Sequence, residues 1–446
     1  MPTARSAQAL REFIFSAYIV AHDIDRSLPV LPPFTYSAQG LPAAGGVYRR
    51  RPRAVYACAN LRDHWEPNHL LKDCGFLPLA MQREYGLRAV MAGFFFDGDY
   101  DTPLAAAPGL ELEFYQLWDE RLPFPFSDIT DPYERAMFGY LWYNARQMDI
   151  LFLDGCYDIT PRYIKAYREL RPDGAVLLAL DMNSRWMTWF PFEDSAYREA
   201  FDLCDAVVTC TKAIADSINN DPRASFVCHW LPNGFLDPAA SQEEYNASMQ
   251  APPDLSVKEN ILLAVGRVGT AQKNTELLLE AFTLTAPDFP DWQLRIVGSL
   301  RQALPQFKAF MRDWMADHKH LIRDKRVVFT KEITDRQTLY AEYKKAKVFC
   351  LTSRFESTPN AFAEAARFGL FTVCTDIDCS REITDEGRLG IVCSPEDVYS
   401  CAAALREAMG GRADNVAAEA YHSRYTANYD YRRIARKAWA LLFGLG

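Results

Sequence analysis

The order of its short apolar runs limits the fold of this chain more than any other feature of the sequence. A strand, a helix and a second strand, together a β-α-β unit, first occur between residues 54 and 92, and the same alternation starts again at Ile261. Alternation of this kind builds a parallel sheet with helices on both faces. Because the series occurs twice in 446 residues, it predicts two α/β domains of the Rossmann-like type.

The chain divides into four predicted segments. Residues 1–53 form an N-terminal extension, residues 54–234 and 235–425 form the two domains, and residues 426–446 form a helix that returns to the first domain. The predicted strands are 54–59, 87–92, 149–153, 175–180 and 206–211 in the first domain, and 261–265, 292–297, 327–329, 348–351, 371–374 and 390–392 in the second.

Composition places the chain among globular proteins of a reducing compartment. No apolar run reaches the roughly 18 residues of a membrane span, and no secretion signal is recognisable. The eleven cysteines are scattered without a C-x-x-C pair, and several lie in apolar runs. This pattern argues against structural zinc and disulfides and predicts a cytoplasmic protein.

Charge is distributed unevenly along the chain. The net charge of −9 argues against a nucleic-acid partner. Residues 1–53 nevertheless carry seven arginines and three acidic residues. Such a segment is interpreted either as a solvated arm or subunit contact, or as a peripheral contact with anionic lipid at the inner face of a membrane.

Residues 353–369 form the stretch with the most chemical information. They follow an apolar strand, and the pattern predicts a loop and then a helix capped by Thr358, with Pro359 as its first residue and Gly369 just beyond its end. Glu356 then lies in the loop and Glu364 inside the helix. In open α/β sheets ligands bind beyond the carboxyl ends of the strands, where the N–H groups of a helix start face an anion. The alternative is a surface loop followed by a helix with an exposed glutamate.

A second candidate site follows the strand that starts at Ile261. Gly266 permits close approach of the backbone, and Arg267 and Lys273 place two positive charges just before a helix. A guanidinium fork and an ammonium group together suit a diphosphate. The alternative is a basic turn. The segment is not a dinucleotide-binding fingerprint, because the third glycine and the downstream acidic residue are missing.

These motifs together resemble the retaining glycosyltransferases of the GT-B fold, specifically glycosyltransferase family 4. The resemblance is good over residues 229–410, weaker over 54–228 and absent before residue 54. It implies two Rossmann-like domains that face each other across a cleft. The matching residues are Gly266-Arg267, Lys273-Asn274, Glu356 and Glu364 around Pro359-Asn360-Ala361, Ile383-Thr384, Gly387, Gly390 and Pro232-Asn233-Gly234.

The resemblance implies a nucleotide-diphospho-sugar donor bound mainly by the second domain. Arg267 and Lys273 would neutralise the leaving diphosphate, Glu364 would bind ribose hydroxyls and Glu356 would hold the transferred sugar. The departing phosphate would take the proton of the acceptor, so no dedicated protein base is expected. The resemblance also implies no metal ion and no cofactor. The remaining donor-binding residues are Gly266, Asn360, Ala361, Phe362 and, in the segment where the family often has a glycine, Ile333.

The first domain would carry the acceptor, a glycan or a lipid-linked saccharide. Asp181 stands where family members often have a residue that touches the sugar, and Lys72 and Gly75 open the helix after the first strand. The glycine-rich loop that is usual in the family is replaced by residues 60–68, which include the candidate His64. The resemblance implies a role in the assembly of surface polysaccharide or another glycoconjugate.

Three alternatives to this interpretation stay open. Asp97 and Asp99 resemble the Asp-x-Asp metal site of the GT-A fold, although a solvated turn is favoured. A GT-B phosphorylase or storage-sugar synthase would share the predicted fold. A non-catalytic nucleotide-sugar-binding protein would share the binding residues as well.

Overall fold

A computed structural model describes residues 52–59, 64–65, 70–95, 101–115, 126, 128–180, 182–184, 195–247 and 251–443. Nearly all of the N-terminal extension, together with Asp97, Asp99 and Asp181, lies outside these ranges, so the predictions made for them stay predictions. Within the described residues no helix is long and apolar enough to cross a membrane.

The first sheet is parallel throughout its described pairings. Its strand order is β2-β3-β1-β5-β6-β7-β8, with β4 pairing alongside β3. The strands are β1 (Ala54–Ala59), β2 (His64–Trp65), β3 (Arg88–Phe95), β4 (Leu110–Phe114), β5 (Ile150–Asp154), β6 (Ala175–Ala179), β7 (Ala206–Thr209) and β8 (Cys228–Trp230). The helices are α1 (Asp73–Tyr85), α2 (Asp101–Ala106), α3 (Pro132–Asn144), α4 (Thr160–Leu170), α5 (Ser195–Asp202), α6 (Lys212–Asn219) and α7 (Gln242–Ala247).

The second sheet is also parallel and has the strand order β11-β10-β9-β12-β13-β14. The strands are β9 (Glu259–Val265), β10 (Gln293–Val297), β11 (Val327–Phe329), β12 (Ala346–Leu351), β13 (Phe371–Thr375) and β14 (Gly390–Cys393). The helices are α8 (Thr275–Thr285), α9 (Pro305–Arg323), α10 (Arg336–Lys345), α11 (Asn360–Arg367), α12 (Ser380–Thr384), α13 (Val398–Glu407), α14 (Ala418–Arg424) and α15 (Tyr431–Phe443), with short π and 3₁₀ turns at Ala408–Arg412, Ala413–Asn415 and Tyr425–Tyr429. Apolar clusters cover both faces of each sheet. The predicted α/β class with two parallel sheets is confirmed.

The last helix of the chain returns to the first domain, as expected. Tyr431 meets Phe76 edge to face at 5.5 Å, and Trp439 stacks on Tyr85 at 4.1 Å. Glu84 of α1 forms ion pairs with two arginines of α15, Arg432 at 3.0 Å and Arg436 at 2.7 Å. The aromatic contacts bury apolar surface that neither helix could cover alone.

The chain crosses between the two domains twice, and the crossings touch. The first crossing is at Phe235, which packs in the core of the second sheet, whereas Leu236 packs in that of the first. The second crossing lies between Tyr429 and Tyr431, which belong to the cores of the second and first sheets respectively. The Phe235 N–H donates to the Tyr429 carbonyl at 2.7 Å, and the Tyr431 N–H donates to the Phe235 carbonyl at 3.4 Å.

The start of α11 differs from its sequence-based prediction by one residue. Pro359 has extended backbone and is the N-cap, so the helix begins at Asn360. Thr358 does not cap the helix, since its hydroxyl donates to the Cys210 carbonyl of the first domain at 2.6 Å. The prediction of Thr358 as the cap is therefore wrong because a contact between the domains takes its side chain. The other end agrees with the prediction, since Gly369 is left-handed with φ of 69°.

Candidate active site

The site is built where the two central strands of the second sheet end. Strands β9 and β12 are neighbours, so the loop that follows β9 and the loop that follows β12 leave the sheet side by side. Successive strands are added to one side of β9 as far as β11 and to the other side from β12 onwards. Open α/β sheets bind ligands at such a switch in strand order. A small cavity that is open to solvent lies here, and Gly266, Lys273 and Ser353 are among its lining residues.

An ion pair joins the two loops. The Lys273 ammonium contacts Oε1 of Glu356, and the Ser353 hydroxyl donates to the same oxygen at 2.8 Å. Glu356 is only 6% exposed. A carboxylate at this depth needs a compensating charge, because breaking a buried pair costs about 3–5 kcal/mol. Two predicted site residues, Lys273 and Glu356, are thus brought into direct contact.

Gln272 fixes the remaining geometry of the two loops. Its side-chain amide donates to the Phe355 carbonyl at 3.1 Å, and its backbone carbonyl accepts from the Arg354 N–H at 2.8 Å. Its side-chain oxygen accepts from the exposed guanidinium of Arg267. Arg267 is therefore held beside Lys273 at the mouth of the cavity. Sequence patterns did not identify Gln272, since a polar residue in a loop has no periodicity.

Gly266 makes room for Lys273. A Cβ atom at this position would lie 3.3 Å from Cε of Lys273, closer than ordinary van der Waals contact. The Gly266 N–H donates to the Val297 carbonyl at 3.0 Å, which keeps the start of the loop against β10. Gly266 was predicted to allow close approach of the backbone to a ligand. In the structure its backbone is closely approached by the side chain of Lys273.

The start of α11 lies next to this pair and presents unpaired polar groups. The first N–H groups of a helix have no partner within the helix. Oδ1 of Asn360 is buried without a hydrogen-bond partner among the described residues. Phe362 differs from its neighbours Asn360 and Ala361: its ring is fully buried against Tyr429 at 5.0 Å, and its N–H donates to the Pro359 carbonyl at 2.9 Å. Asn360 and Ala361 are therefore better placed than Phe362 to meet a ligand.

Glu364 faces a partner that the sequence did not reveal. Its Oε1 accepts from the guanidinium of Arg336 at 2.6 Å, and the glutamate is 8% exposed. The other arm of the Arg336 fork donates to the carbonyl of Leu71 in the first domain. Glu364 therefore lies at the contact between the domains, on the same helix as Asn360.

The segment around Ile333 contains a backbone conformation that is typical of glycine, although it has no glycine. Lys331 adopts a left-handed conformation with φ of 60°, which non-glycine residues rarely occupy. Its carbonyl accepts from the Gly298 N–H at 2.9 Å, and Ile333 packs against the core of the second sheet. Lys331 therefore supplies, in the segment where the family often has a glycine, a backbone conformation that glycine adopts most easily.

On the first domain, the structure describes part of the predicted acceptor side. Lys72 is the extended residue before α1, and its carbonyl accepts from the N–H groups of Gly75 at 3.1 Å and Phe76 at 2.7 Å. A Cβ on Gly75 would lie 2.2 Å from the Leu70 carbonyl oxygen, so the turn itself requires glycine. The backbone of His64 pairs with Phe94 in the sheet. The side chain of His64 and the whole of Asp181 lie outside the described residues.

A carboxylate of the second domain caps a helix of the first. Oε1 of Glu382, in α12, accepts from the N–H groups of Lys212 at 2.7 Å and Ala213 at 3.3 Å. Those N–H groups open α6, where the positive end of the helix dipole favours an anion. Oε2 of Glu382 is buried without a partner among the described residues. Burial raises the pKa of this carboxyl to about 8, against the opposing effect of the two N–H groups.

This raised pKa predicts a pH dependence of stability. The folded protein holds the Glu382 proton up to about pH 8, whereas the unfolded chain releases it near the ordinary pKa of 4.5. The stabilisation of the folded state by protonated Glu382 is therefore complete below pH 4.5 and is lost as the pH rises through about 8. We expect the melting temperature of Glu382→Gln, which stays neutral, to gain a few degrees on the wild type between pH 5 and pH 9. Melting curves of both proteins across that range check it, and a difference that does not change with pH would contradict it.

Among the described residues, no group of three or more histidine, cysteine or acidic side chains could hold a metal ion. The charges at the strand ends come instead from Arg267 and Lys273. The arrangement brings together two cations, a buried carboxylate and a helix start, which is the chemistry of a site for an anionic ligand with hydroxyl groups.

Comparison with known proteins agrees with this geometry. Residues 259–410, which hold the second sheet, match the family model described as glycosyl transferases group 1. No curated protein matches the chain by sequence.

Solved structures show the fold of the whole molecule. HepE of Anabaena in complex with UDP superposes with a TM-score of 0.61 at 16% identity, covering 88% of this chain and 100% of HepE. The lipopolysaccharide outer core galactosyltransferase WaaB gives 0.57 at 15% identity, covering 88% and 99%. Sucrose-phosphate synthase of Thermosynechococcus elongatus gives 0.58 at 15% identity, with the same coverage. The chain therefore has the GT-B fold, with two Rossmann-like domains across a cleft.

Proposed function

From the match of residues 259–410 to the group 1 glycosyl transferases, we propose that this protein is a retaining, metal-independent glycosyltransferase of the family 4 type. It transfers a hexose-type sugar from a nucleotide-diphospho-sugar to a glycan or lipid-linked saccharide acceptor. One observation carries the proposal: Lys273 and Glu356, from loops on neighbouring strands, form a largely buried ion pair, and Lys273 lines the strand-end cavity.

The two cations act on the leaving group. When the bond between C1 of the sugar and the diphosphate oxygen breaks, negative charge grows on the diphosphate. Lys273 supplies a compact charge, and Arg267 supplies a planar fork that Gln272 holds in place. Preorganised charges aimed at such a position are usually the largest single contribution to catalysis.

The carboxylates and the helix start hold the rest of the donor. Glu356 accepts hydrogen bonds from hydroxyls of the sugar, while Lys273 keeps its buried charge compensated. Glu364, deeper along α11, accepts from the ribose hydroxyls. The N–H groups of Asn360 and Ala361 meet a phosphate oxygen, as helix starts commonly do. Ile333 borders the pocket of the nucleobase.

The acceptor enters from the first domain, near Lys72, Gly75, His64 and Asp181. Its hydroxyl oxygen forms the new bond to C1 on the face that the diphosphate leaves, and its proton passes to the departing phosphate oxygen. Atoms and charges balance without a protein base. By the resemblance, the product belongs to a surface polysaccharide or another glycoconjugate, made in the cytoplasm or at the inner face of a membrane.

A thermal-shift panel tests the donor class. The panel holds UDP-glucose, UDP-galactose, UDP-N-acetylglucosamine and GDP-mannose, with NAD and glucose 1-phosphate as controls. A donor at 100 times its dissociation constant stabilises the folded state by about 2.7 kcal/mol. We expect at least one nucleotide-sugar to raise the melting temperature, and slow hydrolysis of that donor without acceptor. A rise in melting temperature with NAD and with none of the nucleotide-sugars would refute the proposal. Release of sugar phosphate from a glycan in the presence of inorganic phosphate would indicate a phosphorylase instead.

A further inference from the structure

Arg336 is the first residue of α10 and reaches both domains with one side chain. Its NH1 donates to Oε1 of Glu364 at 2.6 Å within the second domain. Its NH2 donates to the carbonyl of Leu71 in the first domain, and its guanidinium lies 5.9 Å from the centre of the Phe76 ring. The Arg336 side chain is 20% exposed and that of Glu364 is 10% exposed, so both groups are largely withdrawn from water.

The chemistry of arginine suits this double contact. A guanidinium is a rigid fork whose N–H groups point in fixed directions, so it can bind two acceptors at once at a defined angle. One arm compensates the buried charge of Glu364, which would otherwise be costly to keep in a poorly solvated place. The other arm satisfies a backbone carbonyl that lies just before α1.

The Leu71 carbonyl is in a segment with a fixed shape. Leu70 and Gly75 are so close that a Cβ on Gly75 would overlap the Leu70 carbonyl oxygen at 2.2 Å. The Lys72 carbonyl accepts from the N–H groups of Gly75 and Phe76. The Leu71 carbonyl therefore belongs to a closely packed, hydrogen-bonded segment that leads into α1.

On the basis of the proposed function, we propose that Arg336 is a positioning residue that couples donor binding to closure of the two domains. Glu364 accepts from the ribose hydroxyls in the proposed function while its Oε1 keeps the bond to Arg336. The donor thereby fixes Glu364, Glu364 fixes the guanidinium, and the guanidinium holds the first domain through Leu71. By linkage, whatever closes the domains also tightens donor binding.

Two substitutions separate the two arms of the fork. Arg336→Gln removes the positive charge and can no longer bond Glu364 and Leu71 at the same time. Arg336→Lys keeps a charge for Glu364 but offers one compact group, which cannot hold Glu364 and Leu71 in the same geometry. The matched control is Arg295→Gln: Arg295 pairs with Glu342 at 2.6 Å in the same domain, and its side chain is 22% exposed.

The experiment measures donor affinity, steady-state kinetics and hydrogen exchange of full-length protein, with the nucleotide-sugar that gives the largest shift in the thermal panel. We expect Arg336→Gln to weaken donor binding about tenfold and raise the KM for donor more than it lowers kcat. Donor-dependent protection of residues 70–76 should be lost in Arg336→Gln and weakened in Arg336→Lys, which recovers part of the affinity because it keeps a charge beside Glu364. The Arg295→Gln control should keep both affinity and protection.

The outcomes that overturn the inference are distinct from those that overturn the proposed function. Wild-type affinity and wild-type protection in Arg336→Gln would overturn the coupling alone. Equal losses in Arg295→Gln would also overturn it, because they would show a general loss of domain integrity. No binding of any nucleotide-sugar by the wild-type protein would overturn the proposed function and this inference with it.

Discussion

Replacing Lys273 by alanine should lower kcat/KM for sugar transfer by at least about 100-fold, the scale of losing one preorganised contact to developing charge. Lys273 lines the strand-end cavity, its side chain is 18% exposed, and it contacts Glu356 directly. Steady-state kinetics with the donor from the thermal panel measure the loss. Near-normal rates in both Lys273→Ala and Arg267→Ala would refute the assignment of these residues to the leaving group.

Loss of activity must be separated from loss of structure, because Lys273→Ala leaves Glu356 buried without its partner. The double variant Lys273→Met with Glu356→Gln removes both charges and keeps the volume, so it should fold like the wild type and still be inactive. Lys347→Ala is a matched control: its side chain is 19% exposed and pairs with Asp414 at 2.8 Å, on another part of the second domain. That variant should retain normal kinetics.

Gly298→Ala should have the largest effect on the architecture of the site. A Cβ on Gly298 would lie 1.7 Å from the carbonyl oxygen of Gly266, which is backbone and cannot rotate away. We expect a loss of about 3 kcal/mol in the free energy of unfolding, the upper end of ordinary overpacking, and a shift of the loop that carries Lys273. Denaturant unfolding and donor binding measure the two effects.

Gly410→Ala is the control for this substitution, because nothing lies within 4 Å of a Cβ at Gly410. It should change stability little in either direction. If Gly298→Ala were as stable as Gly410→Ala and bound donor normally, then the close packing of Gly298 on Gly266 would have no bearing on the site.

The strands of the second domain were predictable from sequence because buried parallel strands are continuous apolar runs. Elements at the edge of the first sheet were not. Strand β4 reads Leu-Glu-Leu-Glu-Phe, and its glutamates are explained only by Arg88, which contacts Glu111 and Glu113 from the neighbouring strand. Helix α3 was missed as well, although Asp131 and Pro132 provide an N-cap and a first residue that are common at helix starts.

Within the site, sequence patterns predicted the residues that come together by strand order, and missed those that meet through the domain contact. Lys273 and Glu356 each follow a predicted strand, so their proximity follows from a parallel sheet. Arg336 and Leu71 are 265 positions apart and belong to different domains. No local pattern encodes such a contact, since it depends on how the two domains are set against each other.

That setting depends on one small region, the paired crossings at Phe235 and Tyr429. Because the two crossings are hydrogen-bonded side by side, we expect them to act as a single hinge rather than as two independent linkers. Rotation about a single hinge can open and close the cleft while each sheet stays rigid, and twisting or sliding would have to break the bonds between the crossings. Opening of the cleft about this hinge would break the hydrogen bonds between the domains, among them those of Glu382 with α6 and of Arg336 with Leu71.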